Sequence, residues 1–201
     1  MNLPSGIVTF LAADIEGSEE LRARSVQTFH NAARRCDAIA AEILPLHSCA
    51  PARTLGKGGL LLAVVSNPAN AFAAARALLQ TCQADASFGE AAIRFCLHTG
   101  PASHYQGDYH GDAVSHCRHL LSMGYGWQVL VSSDASAALQ DTLPLGMRLL
   151  DLGEHPLCDL SAPEHLYQIL YPGFPADFPP LRSLANYPNN LPLHADRFIG
   201  R

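Results

Sequence analysis

The sequence predicts an α+β domain: a mixed sheet with helices packed on it, close to a ferredoxin-like βαββαβ core. Three observations carry this. Short apolar runs that suit buried strands alternate with longer segments of helical periodicity. The predicted order is β-α-β-β-α-β-β-α-β, then a short helix and closing strands. With 48% hydrophobic residues in 201, the chain can bury one full core.

The elements follow in order. Ile7–Ala13 is an apolar run with β-branched residues at its start, a strand buried on both faces that stops at Asp14. Ser18 is read as the N-cap of a helix, with Glu19 and Glu20 in its first turn. That helix is predicted over 18–44. Leu21, Val26, Phe29, Ala33, Cys36, Ile39, Ala40 and Ile43 form its core stripe, Arg22, Arg24, Arg34 and Arg35 its solvated face, and Pro45 its end. Residues 52–65 read as a hairpin turning at Gly56, Gly58 and Gly59, with an apolar second strand, Leu60–Val65. No helix follows those glycines directly, so they are not a Walker loop. Asn67-Pro68 opens a second helix through Leu79. Ala91–His98 is the third strand, and a glycine-rich hairpin or long loop covers 100–112. A helix follows at Asp112–Met123, its core face Val114, Cys117, Leu120 and Leu121, closed by Gly124. Gln128–Val131, Met147–Leu152 and His165–Leu170 read as strands, and Ser132-Ser133-Asp134 caps a short helix to Leu139. Residues 1–171 form the domain. Residues 172–201 are proline-rich and aperiodic, a linker or arm.

A net charge of −5 and a pI near 6.0 give no basic footprint for nucleic acid. No apolar run is long enough to span a membrane, and the first residues lack a signal-peptide pattern, so a cytoplasmic location is expected. The six cysteines include no Cys-x-x-Cys pair, which favours reduced, packed thiols.

Asp14 is the first candidate functional residue. A carboxylate at a strand end, beside a helix start, can hold a cation while backbone N–H groups take phosphate oxygens; it can equally just fix a turn. His116 and His119, three apart on one helix with His110 and Cys117 nearby, have a spacing that metal ligands use, although interface or surface histidines fit as well. His98 and Thr99 read as structural, Trp127 as a packing anchor, and Arg94 as facing solvent or a carboxylate.

Several stretches together resemble the class III nucleotidyl (adenylate/guanylate) cyclase domain, as found at the N-terminus of bacterial ATPase-containing transcriptional regulators. They are residues 8–18 (VTFLAADIEGS), 97–102 (LHTGPA), 107–114 (GDYHGDAV), 128–132 (QVLVS), 151–160 (DLGEHPLCDL), 178–184 (FPPLRSL) and the ending 189–201. The resemblance implies a ribose 3′-hydroxyl attacking its own α-phosphorus, with pyrophosphate expelled. It implies two Mg or Mn ions on two aspartates, an asparagine and an arginine that steady the reacting groups, and sites lying between the two subunits of a homodimer. Asp14 falls on the first metal aspartate, Ile15 on a carbonyl ligand, and Glu16, Gly17 and Ser18 on the phosphate-facing turn. Gly59, or Lys57 in a shorter alignment, stands where the second carboxylate is expected. The base-selecting lysine, near Leu55, is absent, while Asp108 matches the second base-selecting position. Ser115 replaces the asparagine and His119 the arginine. The resemblance thus implies a degenerate site in a regulatory or nucleotide-sensing dimerisation module. The alternative is a weakly active cyclase in which His119, Ser115 and Asp108 take over.

Overall fold

The structure is a computed structural model, and it describes residues 3–53, 56, 59–139, 143, 146–157 and 163–183. Its elements are β1 (Gly6–Ile15), α1 (Ser18–Arg24), α2 (Val26–Leu46), β2 (Ala50–Arg53), β3 (Leu61–Val65), α3 (Pro68–Ala84), β4 (Ile93–Ala102), β5 (His104–Tyr105), β6 (Asp108–Tyr109), α4 (Asp112–Met123), β7 (Val129–Val131), α5 (Ser133–Leu139), β8 (Arg148–His155) and β9 (Glu164–Leu170). Seven strands form one mixed sheet in the order β2-β3-β1-β4-β7-β9-β8, with β5 and β6 a separate hairpin. Only the β4–β7 pairing is parallel among the described strands. The expected α+β architecture is the one observed.

The unbroken apolar run of β1 follows from burial on both faces. Leu11, Ala13 and Ile15 pack with α1, α2 and α3, whereas Val8, Phe10 and Ala12 pack with α4 and Tyr109. β1 does not stop before Asp14. It runs two residues further, and Asp14 pairs with Arg94 and Ile15 with Ile93. Strand parity puts Asp14 on the same face as Ala12, the α4 side.

The predicted helix 18–44 is two helices. Ser25 takes extended backbone, and its hydroxyl accepts the Thr28 N–H at 3.2 Å, so it ends α1 and caps α2. Val26, assigned to the core stripe, is therefore 55% exposed. Gly17, not Ser18, holds the N-cap of α1; its left-handed φ of +61° makes the turn out of β1. Pro45 lies inside the last turn of α2 rather than beyond it. Asn67 caps α3 as its sequence suggests, accepting the Ala69 N–H at 3.0 Å. Ser132 caps α5 by accepting the Ala135 N–H at 3.2 Å. Trp127 packs edge-on to Phe88. Cys36, Cys49, Cys82, Cys96 and Cys117 are buried free thiols. No described helix is long and apolar enough to cross a membrane.

Candidate functional site at the end of β1

Asp14 lies where β1 meets α1, the place at which the half-site is expected. The Asp14 carboxylate is not open. Arg94 Nε donates to Asp14 Oδ1 at 2.6 Å and Arg94 Nη2 to Oδ2 at 3.0 Å, a two-pronged pair whose side chains are 13% and 19% exposed. Arg94 Nη1 also donates to the Gly124 carbonyl at 3.3 Å, just past the C-terminal end of α4. Burial lifts the Asp14 carboxyl above its ordinary range, and Arg94 pulls against that lift.

Ile15 is buried as the last residue of β1. Glu16 leaves the strand with its N–H on the Ala92 carbonyl at 2.9 Å. Its carboxylate accepts the Gly126 N–H at 2.7 Å and an ion pair from Arg182. Glu16, Gly17, Glu20, Leu21, Arg24 and Arg182 line a cleft of about 290 Å³. Ser18 begins α1 and makes no side-chain cap.

Gly59 belongs to the turn leading into β3. Ala13 pairs with Leu61, so that turn lies at the Asp14 end of the sheet, where the missing carboxylate is expected. Gly59 offers no side-chain donor, and a Cβ added there would meet nothing within 4 Å. Lys57 and Leu55 lie outside the described residues. With Asp14 held by a guanidinium and a glycine in the turn where the second carboxylate is expected, the described residues do not fit a two-metal site.

Asp108 sits in the β5–β6 hairpin. Arg53 Nε lies 2.7 and 2.9 Å from its two oxygens, and Arg53 Nη2 donates to the Tyr109 carbonyl at 2.6 Å. Burial opposes ionisation, but Arg53 and the Tyr109 N–H outweigh it and hold the Asp108 carboxyl below its ordinary range. Arg53 went unnoticed in the sequence. The lysine that the resemblance implies near Leu55 is absent, and Arg53 is a cation two residues earlier that pairs with Asp108.

Ser115 is exposed on α4, and His119 follows one turn later, half-buried. Ser115 is seven residues from Ser122 at the Arg94 end, about 10 Å along the helix. The chain therefore does not set Ser115 beside Asp14. His116 and His119 do not form a metal site: no cluster of three or more His, Cys, Asp or Glu suited to a metal occurs among the described residues. His116 is instead buried, with Nε2 2.8 Å from Glu164 Oε2, and stacks on His98 with ring centroids 4.1 Å apart. His98 Nδ1 lies 3.0 Å from Ser132 Oγ, and Thr9 and Thr99 hydroxyls meet at 2.9 Å, as structural roles require. Burial, and then His116, push His98 down to about 4.

No family model matches the chain. The uncharacterized protein Rv0891c of Mycobacterium tuberculosis and the uncharacterized protein Mb0915c of Mycobacterium bovis are each 30% identical to it over 199 residues, spanning 98% of this chain and 68% of theirs. Among solved structures, an adenylate cyclase from Trypanosoma brucei in its monomeric state superposes with a TM-score of 0.71 at 20% identity, covering 91% of this chain and 97% of that one. An adenylate/guanylate cyclase/hydrolase from Silicibacter pomeroyi gives 0.69 at 21%, covering 85% and 99%. The guanylate cyclase domain of RhGC from Catenaria anguillulae, in complex with GTP, gives 0.69 at 16%, covering 83% and 97%. The chain thus belongs to the family of these uncharacterized mycobacterial proteins, and its fold is that of class III adenylate and guanylate cyclase domains.

Proposed function

We propose that this domain is a catalytically degenerate nucleotidyl cyclase module that serves as a regulatory, nucleotide-sensing dimerisation unit. The observation that carries this reading is the Asp14–Arg94 pair: the carboxylate that would be the first metal ligand is engaged internally, and Gly59, in the turn into β3, supplies no second carboxylate. Two-metal chemistry needs both carboxylates to hold the ions that activate the attacking oxygen and clamp the leaving one. The other half is weakened too. Ser115 is short where an amide is expected, and His119 lacks the forked cation of arginine. Loss of one transition-state donor costs about 10²–10³ in rate, and loss of an arginine clamp on phosphoryl oxygens about 10³–10⁵. A homodimer carries both defects in both sites. An intact partner rescues neither, because each site takes one half from each chain.

What survives suits binding. The Glu16–Gly17–Ser18 turn, with Gly17 left-handed, is a phosphate-facing loop, and the Arg53–Asp108 pair offers donors and acceptors to a base edge. Nucleoside triphosphate is the expected ligand, with Mg or Mn contributing weakly. The test is purified protein with ATP or GTP and Mn²⁺ at high enzyme concentration, scored for cyclic nucleotide. No product is expected. Product that disappears in Asp14→Ala overturns the proposal in favour of a weakly active cyclase.

A further inference from the structure

A cavity of about 1210 Å³ opens between β4, α4, α5 and β9, and neither Asp14 nor Glu16 lines it. His98, His116 and Glu164 form its floor and are 8%, 7% and 8% exposed. His116 Nε2 and Glu164 Oε2 lie 2.8 Å apart, close enough for an ion pair, yet neither atom meets hydrogen-bond geometry with a partner among the described residues. Buried polar atoms left in that state are rare and call for an explanation. Their neighbours are already committed. Glu164 Oε1 takes the Ser133 N–H and hydroxyl, each at 3.1 Å, and His98 Nδ1 lies 3.0 Å from Ser132 Oγ.

The fixed charges around this cavity have one sign. Asp112, Asp134 and Glu154 stand exposed at its rim, Glu164 lies at its floor, and no lysine or arginine lines it among the described residues. Asp112 and Asp134 sit in the first turns of α4 and α5 and offset the positive ends of those helices. Glu154 and Glu164 are left as the net charge. Burial works against ionisation of Glu164, but His116 and Ser133 outweigh it and hold its carboxyl below the ordinary range. A concave site of one sign concentrates ligands of the other, and a phosphate finds no cation here. The donors do not group in threes suited to a metal ion. Pro101, Ala102 and Ala113 add apolar wall against which a hydrocarbon stem can lie.

We propose that this cavity binds a small organic dication, an alkyl diamine, with one ammonium group between His116 Nε2 and Glu164 Oε2 and the other at Glu154. An ammonium supplies the donors that both buried atoms lack: it donates to the carboxylate and to the imidazole nitrogen, whose proton then sits on Nδ1. The last torsion of a glutamate side chain is soft, so Oε2 turns toward the cavity at little cost. Two net negative charges, one at the floor and one at the rim, match two ammonium groups joined by a methylene stem. The site uses none of the residues at the end of β1, and it stands whether or not nucleotide binds there.

The test uses the full 201-residue chain at pH 7.5 and low ionic strength, where charge contacts are least screened. The probe is 1,4-diaminobutane, followed by calorimetry and by the ring-proton NMR signals of the histidines. The control is 1,4-butanediol, of the same length and uncharged. The diamine is expected to bind and to shift the His98 and His116 signals, while that of His47, at the end of α2, stays still. Glu164→Gln, which keeps the shape and removes the charge, is expected to weaken binding about tenfold. Glu154→Gln, at an exposed position where folding is not at risk, is expected to weaken it about threefold. The diol is expected not to bind. No diamine binding by the unmodified chain overturns the proposal. So does binding without a shift at His98 and His116, or equal binding of the diol. Unchanged affinity in either variant overturns it as well, and assigns the binding to general attraction by a chain of net charge −5.

Discussion

Replacing Arg94 with methionine tests whether Asp14 is held internally. The two side chains are 13% and 19% exposed, and the contact is two-pronged at 2.6 and 3.0 Å. Removing one member of a buried ion pair costs about 3–5 kcal/mol, because the other charge is left without compensation. Asp14 retains some exposure, and burial already favours its neutral form, so the lower end applies: about 3 kcal/mol for Arg94→Met. In a chain of this length that lowers Tm by about 6–12 °C. Asp14→Asn alone leaves Arg94 its carbonyl at Gly124 and costs less, about 1–2 kcal/mol. The double variant is expected to fall short of the sum by about 1.5–2 kcal/mol, the coupling of a shared pair. The assay is urea unfolding at pH 7.5 for all four proteins. The pH dependence adds a check. Without Arg94 the folded-state Asp14 stays above its unfolded value, so the folded state binds the proton more tightly. The variant's deficit then grows as pH rises above about 4 and is smallest in acid. Additive effects within about 0.5 kcal/mol refute the reasoning.

Three further outcomes follow from other positions. His98 is pushed from 6.5 to about 4 by burial and His116, so the unfolded chain binds the proton first. Stability is expected to fall as pH drops from about 6.5 toward 4, by on the order of 3 kcal/mol, and denaturation of His98→Gln should show a flatter profile across that window. Gly59→Asp returns a carboxylate at a site where a Cβ meets nothing within 4 Å and φ is +67°, a region that Asp tolerates. Mn²⁺ titration is expected to show at least tenfold tighter binding, at a stability cost of about 1 kcal/mol. Gly126→Ala places a Cβ 2.3 Å from that of Ala92 and 2.9 Å from the Glu16 carboxylate. A loss of about 1–3 kcal/mol is expected in thermal unfolding.

Much of the fold was legible because period and punctuation agreed. The run Asp112–Met123, with Val114, Cys117, Leu120 and Leu121 on one side and Gly124 after it, is the observed α4. Asn67-Pro68 is the observed start of α3. The break at Ser25 was missed because Val26 preserves the three-and-four rhythm. The competing signal was a serine whose hydroxyl meets the Thr28 N–H, a local bond that pattern does not weigh. Asp14 was legible as a special residue but not as an engaged one. Its partner lies 80 positions away and is set by the β1–β4 register. Arg53 was hidden for a related reason: its meaning depends on the hairpin bringing Asp108 to it. The histidine pair at 116 and 119 suggested ligands by spacing. The structure turns His116 inward to Glu164 and His98, a burial that helix spacing alone does not predict.

The central claim is that the chain keeps a nucleotide-facing turn without a working metal pair. Calorimetric titration of ATP and of GTP into the unmodified chain, with and without Mg²⁺, tests it most directly. The account predicts binding of at least one nucleotide, with an affinity that Mg²⁺ changes by less than about threefold. Mg²⁺ tightening the nucleotide tenfold or more, with the gain abolished by Asp14→Ala, would contradict it.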